Sequence, residues 1–361
     1  MLDLIPDAPV GDSTAPASAP PAVRHQPQFN GRAGEYFGIW FVNLLLGIVT
    51  LGIYSAWGKV RTQRYFYANT QLAGASFDYL ASPIAILKGR LLAYAVVIAL
   101  GLSLQFAPVL YFVLAAGIGL MIPALICWSL RFRARNSAWR GLSFRFDESA
   151  VAAYGPFMLW GFLAYITLSL LYPVAKLRQH EYVVEGHRFG HKRFKFHGLA
   201  GRYYPPYLAI AGMGILGFVL LVAGMVAVAG MAGSDQAAAT RAITWMLLPL
   251  YAGVLAILVY AKVRYTNLLW NNASLGPHRF ESSLRVRDML WLYASNGVAI
   301  ICTIGLAVPW AMVRLARYRA SHFTVVAAGD LGEFFASSES RPGSAGEELV
   351  DALDVGLDIG F

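Results

Sequence analysis

Apolar positions along the chain gather into seven stretches, at 37–57, 90–106, 109–130, 150–174, 206–231, 244–261 and 290–313, separated by basic connectors. Read by hydropathy, each predicts a membrane-embedded helix. The second and third meet at Ala107 and Pro108, and the fifth and sixth around Gly233, Ser234 and Asp235, so two tight helical hairpins are expected. Between the stretches the period changes. Phe77-x-Tyr79 and Arg193-Phe194-Lys195-Phe196 alternate apolar with polar residues, as do Phe144 and Phe146. That alternation predicts short strands with one apolar face, pairing between connectors.

Composition sharpens the class. Apolar residues make up 57% and charged residues 14% of the 361, against about 25% charged in a soluble domain, and mean hydropathy is +0.53. A water-soluble globule is excluded. The expected fold is an all-α polytopic membrane protein: two transmembrane hairpins, three repeated membrane-embedded segments, and short β-like Phe-x-Phe connectors on the cytoplasmic side. The expected organisation is a Pro/Ala-rich tail over 1–28, a membrane domain over 29–326 and an acidic tail over 327–361, both tails unstructured. Cys127 and Cys302 lie in apolar stretches, as inert core thiols do.

Charge decides between two topologies. Residues 29–326 hold 27 of the 29 Lys and Arg but only 9 of the 20 acids, a net +18. Seven full crossings split Lys and Arg 14 to 15, against the cytoplasmic excess of positive charge. If 37–57, 150–174 and 290–313 instead enter and leave by one face, 28 are cytoplasmic and only Arg241 is outside. Re-entrant arms of about ten residues reach about 15 Å, the bilayer midplane. Seven ordinary spans are the alternative.

Those three segments repeat a pattern. Thr50, Gly52, Arg61 and Tyr65 match Thr167, Ser169, Arg178 and Tyr182, and again Thr303, Gly305, Arg314 and Tyr318. Asn43 and Asn296 precede their Thr by seven residues, where the middle copy has Trp160. The hairpins are followed by Arg133, Asn136 and Trp139, and by Arg264, Asn267 and Trp270. Such offsets indicate an internal repeat, with copies at 29–130, 140–261 and 279–326. Arg beyond an apolar helix can place its guanidinium among phosphates, and Tyr one turn on belongs at the same depth. Arg61, Tyr65, Arg178, Tyr182, Arg314 and Tyr318 are therefore candidate lipid or ligand contacts; the plainer alternative is that they only anchor the segment ends. Asn43, Thr50, Thr167, Asn296 and Thr303 are candidate pathway-lining residues.

Phe29-Asn30-Gly31, Asn43-Leu44-Leu45-Leu46, Thr50-Leu51-Gly52-Ile53-Tyr54, Trp57, Lys59, Val60, Arg61, Tyr65 and Gly74-x-x-Phe77 together resemble the YjgN-like family of bacterial inner-membrane proteins, a domain of unknown function. The resemblance covers 29 to about 326 and implies an integral protein of the bacterial cytoplasmic membrane. It brings no activity or catalytic residue.

Chemistry is sparse. His187 and His191 stand at helical ligand spacing, but Arg188, Lys192, Arg193 and Lys195 surround them and repel a cation, so no metal is expected. No nucleotide loop, nucleophile elbow or zincin helix is present, so neither catalysis nor a cofactor is expected. Anionic lipid is the expected partner, in preference to nucleic acid. Two functions remain: a lipid-engaging or scaffolding membrane protein, or a channel or carrier for a small neutral or amphipathic solute. Both termini are expected in the cytoplasm.

Overall fold

The computed structural model describes residues 22–232 and 235–329. Most of the two tails, 1–21 and 330–361, and the tip residues Gly233 and Ser234 lie outside the described residues. The strands are β1 (Ala22–His25), β2 (Gln28–Phe29), β3 (Thr70–Leu72), β4 (Ala75–Tyr79), β5 (Ser137–Trp139), β6 (Leu142–Phe146), β7 (His187–Phe189), β8 (Lys192–Phe196), β9 (Ala273–Leu275), β10 (His278–Ser282) and β11 (Phe323–Ala328). All join one antiparallel sheet in the order β1-β11-β10-β9-β8-β7-β6-β5-β4-β3-β2. An all-α class is therefore wrong: the connectors build an eleven-stranded sheet.

The two terminal strands of that order are consecutive in sequence. His25 pairs with Val325 of β11, and three residues later Gln28 pairs with Gln71 of β3. One extended segment thus bridges both edges, and Leu72 of β3 packs in one cluster with Val325 of β11. The sheet's two ends are joined through the chain, by residues 25–28, and by packing, into a ring without a strand ladder between β1 and β2. This moves the membrane domain's boundaries, because 22–28 belongs to the sheet and β11 runs on to Ala328.

Tight turns make the sheet out of short pieces. Ala73-Gly74 and Arg140-Gly141 both hold positive φ at both positions, the mirror-image turn whose twist matches a hairpin. Gly190 and Gly276 do the same work at the other two turns. These are sites where a Cβ is disfavoured, which places glycine at each.

Five pairs of helices hang from the ring. They are α1 (Ala33–Val49) with α2 (Ser55–Ala68), α3 (Pro83–Phe106) with α4 (Pro108–Arg135), α5 (Ala150–Tyr154) and α6 (Trp160–Ile166) with α7 (Tyr172–Gly186), α8 (Tyr204–Ala232) with α9 (Gln236–Asn271), and α10 (Val286–Cys302) with α11 (Val308–Ser321). A π-helical stretch, Gly155–Leu159, joins α5 to α6. Among the described residues only α3, α4, α8 and α9 are long and apolar enough to cross a bilayer. Their apolar side chains point outward on nearly all sides, as suits a hydrocarbon solvent. Every pair starts and ends on strands of the same ring, so each returns to the face it left. Seven full spans would put neighbouring strands on opposite sides of a membrane, where they could not pair.

The short pairs reverse at one kind of turn. Leu51 and Gly52, Leu168 and Ser169, and Ile304 and Gly305 all have positive φ. At each, the preceding Thr staples the turn. Thr50, Thr167 and Thr303 donate to Leu46, Leu163 and Ala299 carbonyls at 2.7 Å. They accept from the backbone N–H of Tyr54, Leu171 and Ala307. Leu51 and Ile304 at the tips are 94% exposed. The pairs form a circle through α2 on α3, α4 on α5, α7 on α8, α9 on α10 and α11 on α1.

The repeat is thus fivefold in its units, and one sequence match is displaced. Asn136 and Asn272, not Asn267, close their helices alike, each donating to the carbonyl four residues back, as Asn69 also does.

This topology predicts that cysteines placed at Gln71, His191 and Arg279, in a background lacking Cys127 and Cys302, all react from one side of intact membranes. Cysteines at Ala107 and Ala237 should react from the other. Labelling of the three sheet positions from different sides would contradict a single ring.

Candidate functional site

Pleat and register together line the ring's interior. Phe77 stands directly opposite Trp139, Phe144 opposite Phe189, Phe194 opposite Leu275, and Phe280 opposite Val325. Side chains alternate across a strand, so these eight share one face. They wall a cavity of about 190 Å³, with Leu72, Trp270 and Phe323 completing the apolar lining and His278 as its one ionisable group. An apolar hole of that size costs on the order of 4–5 kcal/mol if left unfilled, at about 24 cal/mol per Å³. Apolar cavities of about 150 Å³ stay dry and accept benzene.

A second cavity of about 310 Å³ lies on the helix side. Phe144, Phe194 and Trp270 line both. The second is lined further by Arg133 and Ser137 at the end of α4 and by Val183, Val184 and His187 at the end of α7. Together they reach the range of ligand cavities, about 300–1,000 Å³. Close to Arg133 stand Lys59 of α2 and Arg90 of α3. Arg90 donates to the Ser55 hydroxyl. Burial lowers the Lys59 pKa, and the Arg90 and Arg133 charges lower it further.

A third cavity, about 540 Å³, lies at the foot of α8 and α9 among Arg202, Arg264, Tyr260, Pro205, Pro206, Asn267, Asn271 and Asn272. Arg264 lies 5.4 Å over the Tyr260 ring, and Arg202 reaches Asn272 Oδ1 at 3.5 Å. Proline, aromatic and guanidinium surfaces thus meet where a spanning hairpin joins the sheet.

The candidates from the threefold pattern stay on their own helix pairs and do not converge. Tyr65, Tyr182 and Tyr318 hydroxyls donate to the backbone carbonyls of Arg32, Ser149 and Arg285, each 33 residues earlier. They tie the second helix of each pair to the start of the first. Arg178 pairs with Glu181 at 2.7 Å. Arg314 donates to Ser295 and Asn296, and lies 5.2 Å over Trp310. Arg61 is exposed. Asn43 and Asn296 clamp the two arms by donating to Gly58 and Ala311 carbonyls. The three Thr hydroxyls are spent in the turns described above.

Sequence reasoning missed the cavity wall and the group of cations. The wall has a signal: Leu72, Trp139, Phe189 and Leu275 each precede a lumen Phe by five residues, with a glycine between. Lys59, Arg90 and Arg133 carry none, since three separate helices bring them together.

Buried imidazoles set a pH dependence. His180, bonded to the Tyr203 hydroxyl at 2.8 Å, is held down to about 3 by burial and then by the Lys176 charge. His278 is lowered by burial and by Lys192. His187 is lowered by burial, against the opposing effect of its bond to the Val183 carbonyl. The unfolded chain, with histidines near 6.5, then binds more protons than the folded one below that pH. Thermal stability in detergent should be level above about pH 6.5 and fall as pH drops from there, for His180 as far as about 3. His180→Gln should flatten the profile; an unchanged slope would contradict the assignment.

Comparison with known proteins agrees with a membrane protein. The model of the family described as bacterial protein of unknown function (DUF898) matches residues 24–352. Inner membrane protein YjgN of Salmonella typhimurium strain LT2 is 26% identical over 366 residues, covering 88% of this chain and 92% of that protein. Inner membrane protein YjgN of Escherichia coli K12 is 46% identical over 55 residues, 15% of this chain and 14% of that protein. No solved structure matches. The chain belongs to the DUF898 family of bacterial proteins of unknown function, and is an integral protein of the bacterial inner membrane.

Proposed function

We propose that the protein is a non-catalytic, lipid-engaging membrane protein that retains anionic lipid around its sheet. The observation that carries this is the one-sided gathering of charge. Because all five helix pairs return to the ring, most described Lys and Arg lie on the sheet side; Lys59, Arg61, Lys176, Arg178 and Arg314 lie within the short returning pairs, and Arg241 stands near the far tip of a spanning hairpin. Excess Lys and Arg marks the cytoplasmic side, which supports a cytoplasmic ring with both termini on that side. Anionic lipid of that leaflet then meets basic residues worth about 1 kcal/mol each close to the surface. The Arg202–Arg264 groove offers a place for a head group, with two forks suited to phosphate.

A solute pathway has less support. Thr50, Thr167, Asn296 and Thr303 spend their polar groups on holding helix pairs together, and the Asn43 amide N–H does the same while its buried Oδ1 has no partner among the described residues.

Native mass spectrometry on purified protein tests the proposal by comparing anionic phosphatidylglycerol with zwitterionic phosphatidylcholine of equal chain length. Phosphatidylglycerol should be retained preferentially, and the preference should shrink with salt, since screening shortens from about 10 Å at 0.1 M to about 3 Å at 1 M. Arg202→Gln with Arg264→Gln should remove part of it. Equal retention of both lipids would defeat the proposal.

A further inference from the structure

We propose that the ring's lumen is a binding site for a single-chain anionic amphiphile taken from the membrane, its chain between the lumen phenylalanines and its carboxylate or phosphate on Lys59, Arg90 and Arg133. This rests on the lipid-engaging reading and narrows it to one ligand class.

Three observations point the same way. The lumen wall is apolar and mostly aromatic, a surface that gains by enclosing hydrocarbon and offers a charged group no partner but His278. The second cavity, on the helix side, shares Phe144, Phe194 and Trp270 with the lumen. At the opposite rim Arg140 donates to the Ala73 carbonyl at 3.0 Å and lies 5.0 Å over Trp139, crossing between two hairpin turns. A chain therefore enters from the bilayer side, where hydrocarbon is at hand.

The second cavity supplies the head-group end. Arg133 lines it, and Lys59 and Arg90 stand near enough to raise each other's electrostatic cost. Among the described residues no Asp or Glu forms an ion pair with any of the three. Like charges drawn together are unfavourable until an anion joins them. Two guanidinium forks and an ammonium suit a carboxylate or phosphate. The apolar lumen and the cavity that Arg133 lines share three aromatic walls, an arrangement that suits a molecule with both ends rather than a bare ion or a hydrocarbon.

Stearate brominated at mid-chain is the probe, titrated into purified full-length protein in nonionic detergent, because bromine quenches tryptophan on contact. Part of the emission from the nine tryptophans should quench saturably and recover on adding unbrominated stearate. Trp139 and Trp270 wall the lumen, so W139F W270F should lose the saturable part while the remaining tryptophans still emit. Lys59→Gln with Arg133→Gln should weaken half-saturation about ten-fold, as loss of charge-assisted bonds implies. Leu275→Phe, which narrows the lumen, should weaken saturable binding while keeping the melting temperature. Non-saturable quenching that persists in W139F W270F would mean ordinary annular contact and overturn the proposal. Equal affinity for brominated stearyl alcohol would overturn the cationic head-group assignment. If saturation is absent while preferential phosphatidylglycerol retention stands, the lumen site fails and the broader lipid-engaging reading survives. If both are absent, both fail.

Discussion

Ring closure by residues 22–29 is the constraint on which the rest of the molecule depends. An open sheet beside a membrane would present two rows of unpaired N–H and C=O groups, which invite pairing with other chains. Here one segment pairs with β11 through Ala22–His25 and with β3 through Gln28–Phe29. The change of partner falls at Gln26 and Pro27. Proline has no N–H to leave unsatisfied, and the Gln26 amide donates to the Ser321 carbonyl. With its two end strands joined in one segment, the sheet holds every described helix pair at both ends on one frame.

Register then decides what the frame encloses. A slip of one residue turns a whole strand over. Such a slip would carry Arg145, Lys195 or Glu281 into the lumen in place of Phe144, Phe194 or Phe280. The outward face bears its own cost: Arg145 stands opposite Arg188, and Arg188 opposite Arg193. Like charges so placed destabilise a sheet. Asp147 at 2.8 Å from Arg188 and Glu148 at 3.4 Å from Arg193 offset it. Inside apolar and outside basic, the ring joins hydrocarbon chemistry to surface electrostatics in one element.

Much of this was legible in the sequence and some was not, for physical reasons. Hydropathy reveals the long helices because a spanning helix is a local object about 20 residues long. Phe-x-Phe alternation reveals β4, β6 and β8. The sheet as a whole stays hidden, because strands of two to six residues carry little periodic signal. Their partners are also remote: Phe77 pairs with Trp139, and Arg24 with Val326. The repeated Thr and Tyr are visible as spacing, yet spacing does not show that their hydroxyls bond to backbone in the same helix pair. Positive charge could be counted from sequence, but the meeting of Lys59, Arg90 and Arg133 is a product of packing among α2, α3 and α4.

Closure can be tested by a disulfide across the seam. Arg24 and Val326 are direct antiparallel partners, where Cα atoms lie about 4.5–5.5 Å apart, within reach of a disulfide. In a background lacking Cys127 and Cys302, Arg24→Cys with Val326→Cys should cross-link rapidly under mild oxidation and shift the protein's mobility on a non-reducing gel. Val23→Cys with Val326→Cys, one residue out of register, should not. Cross-linking of the second pair in preference to the first, or of neither, would contradict a ring closed in this register.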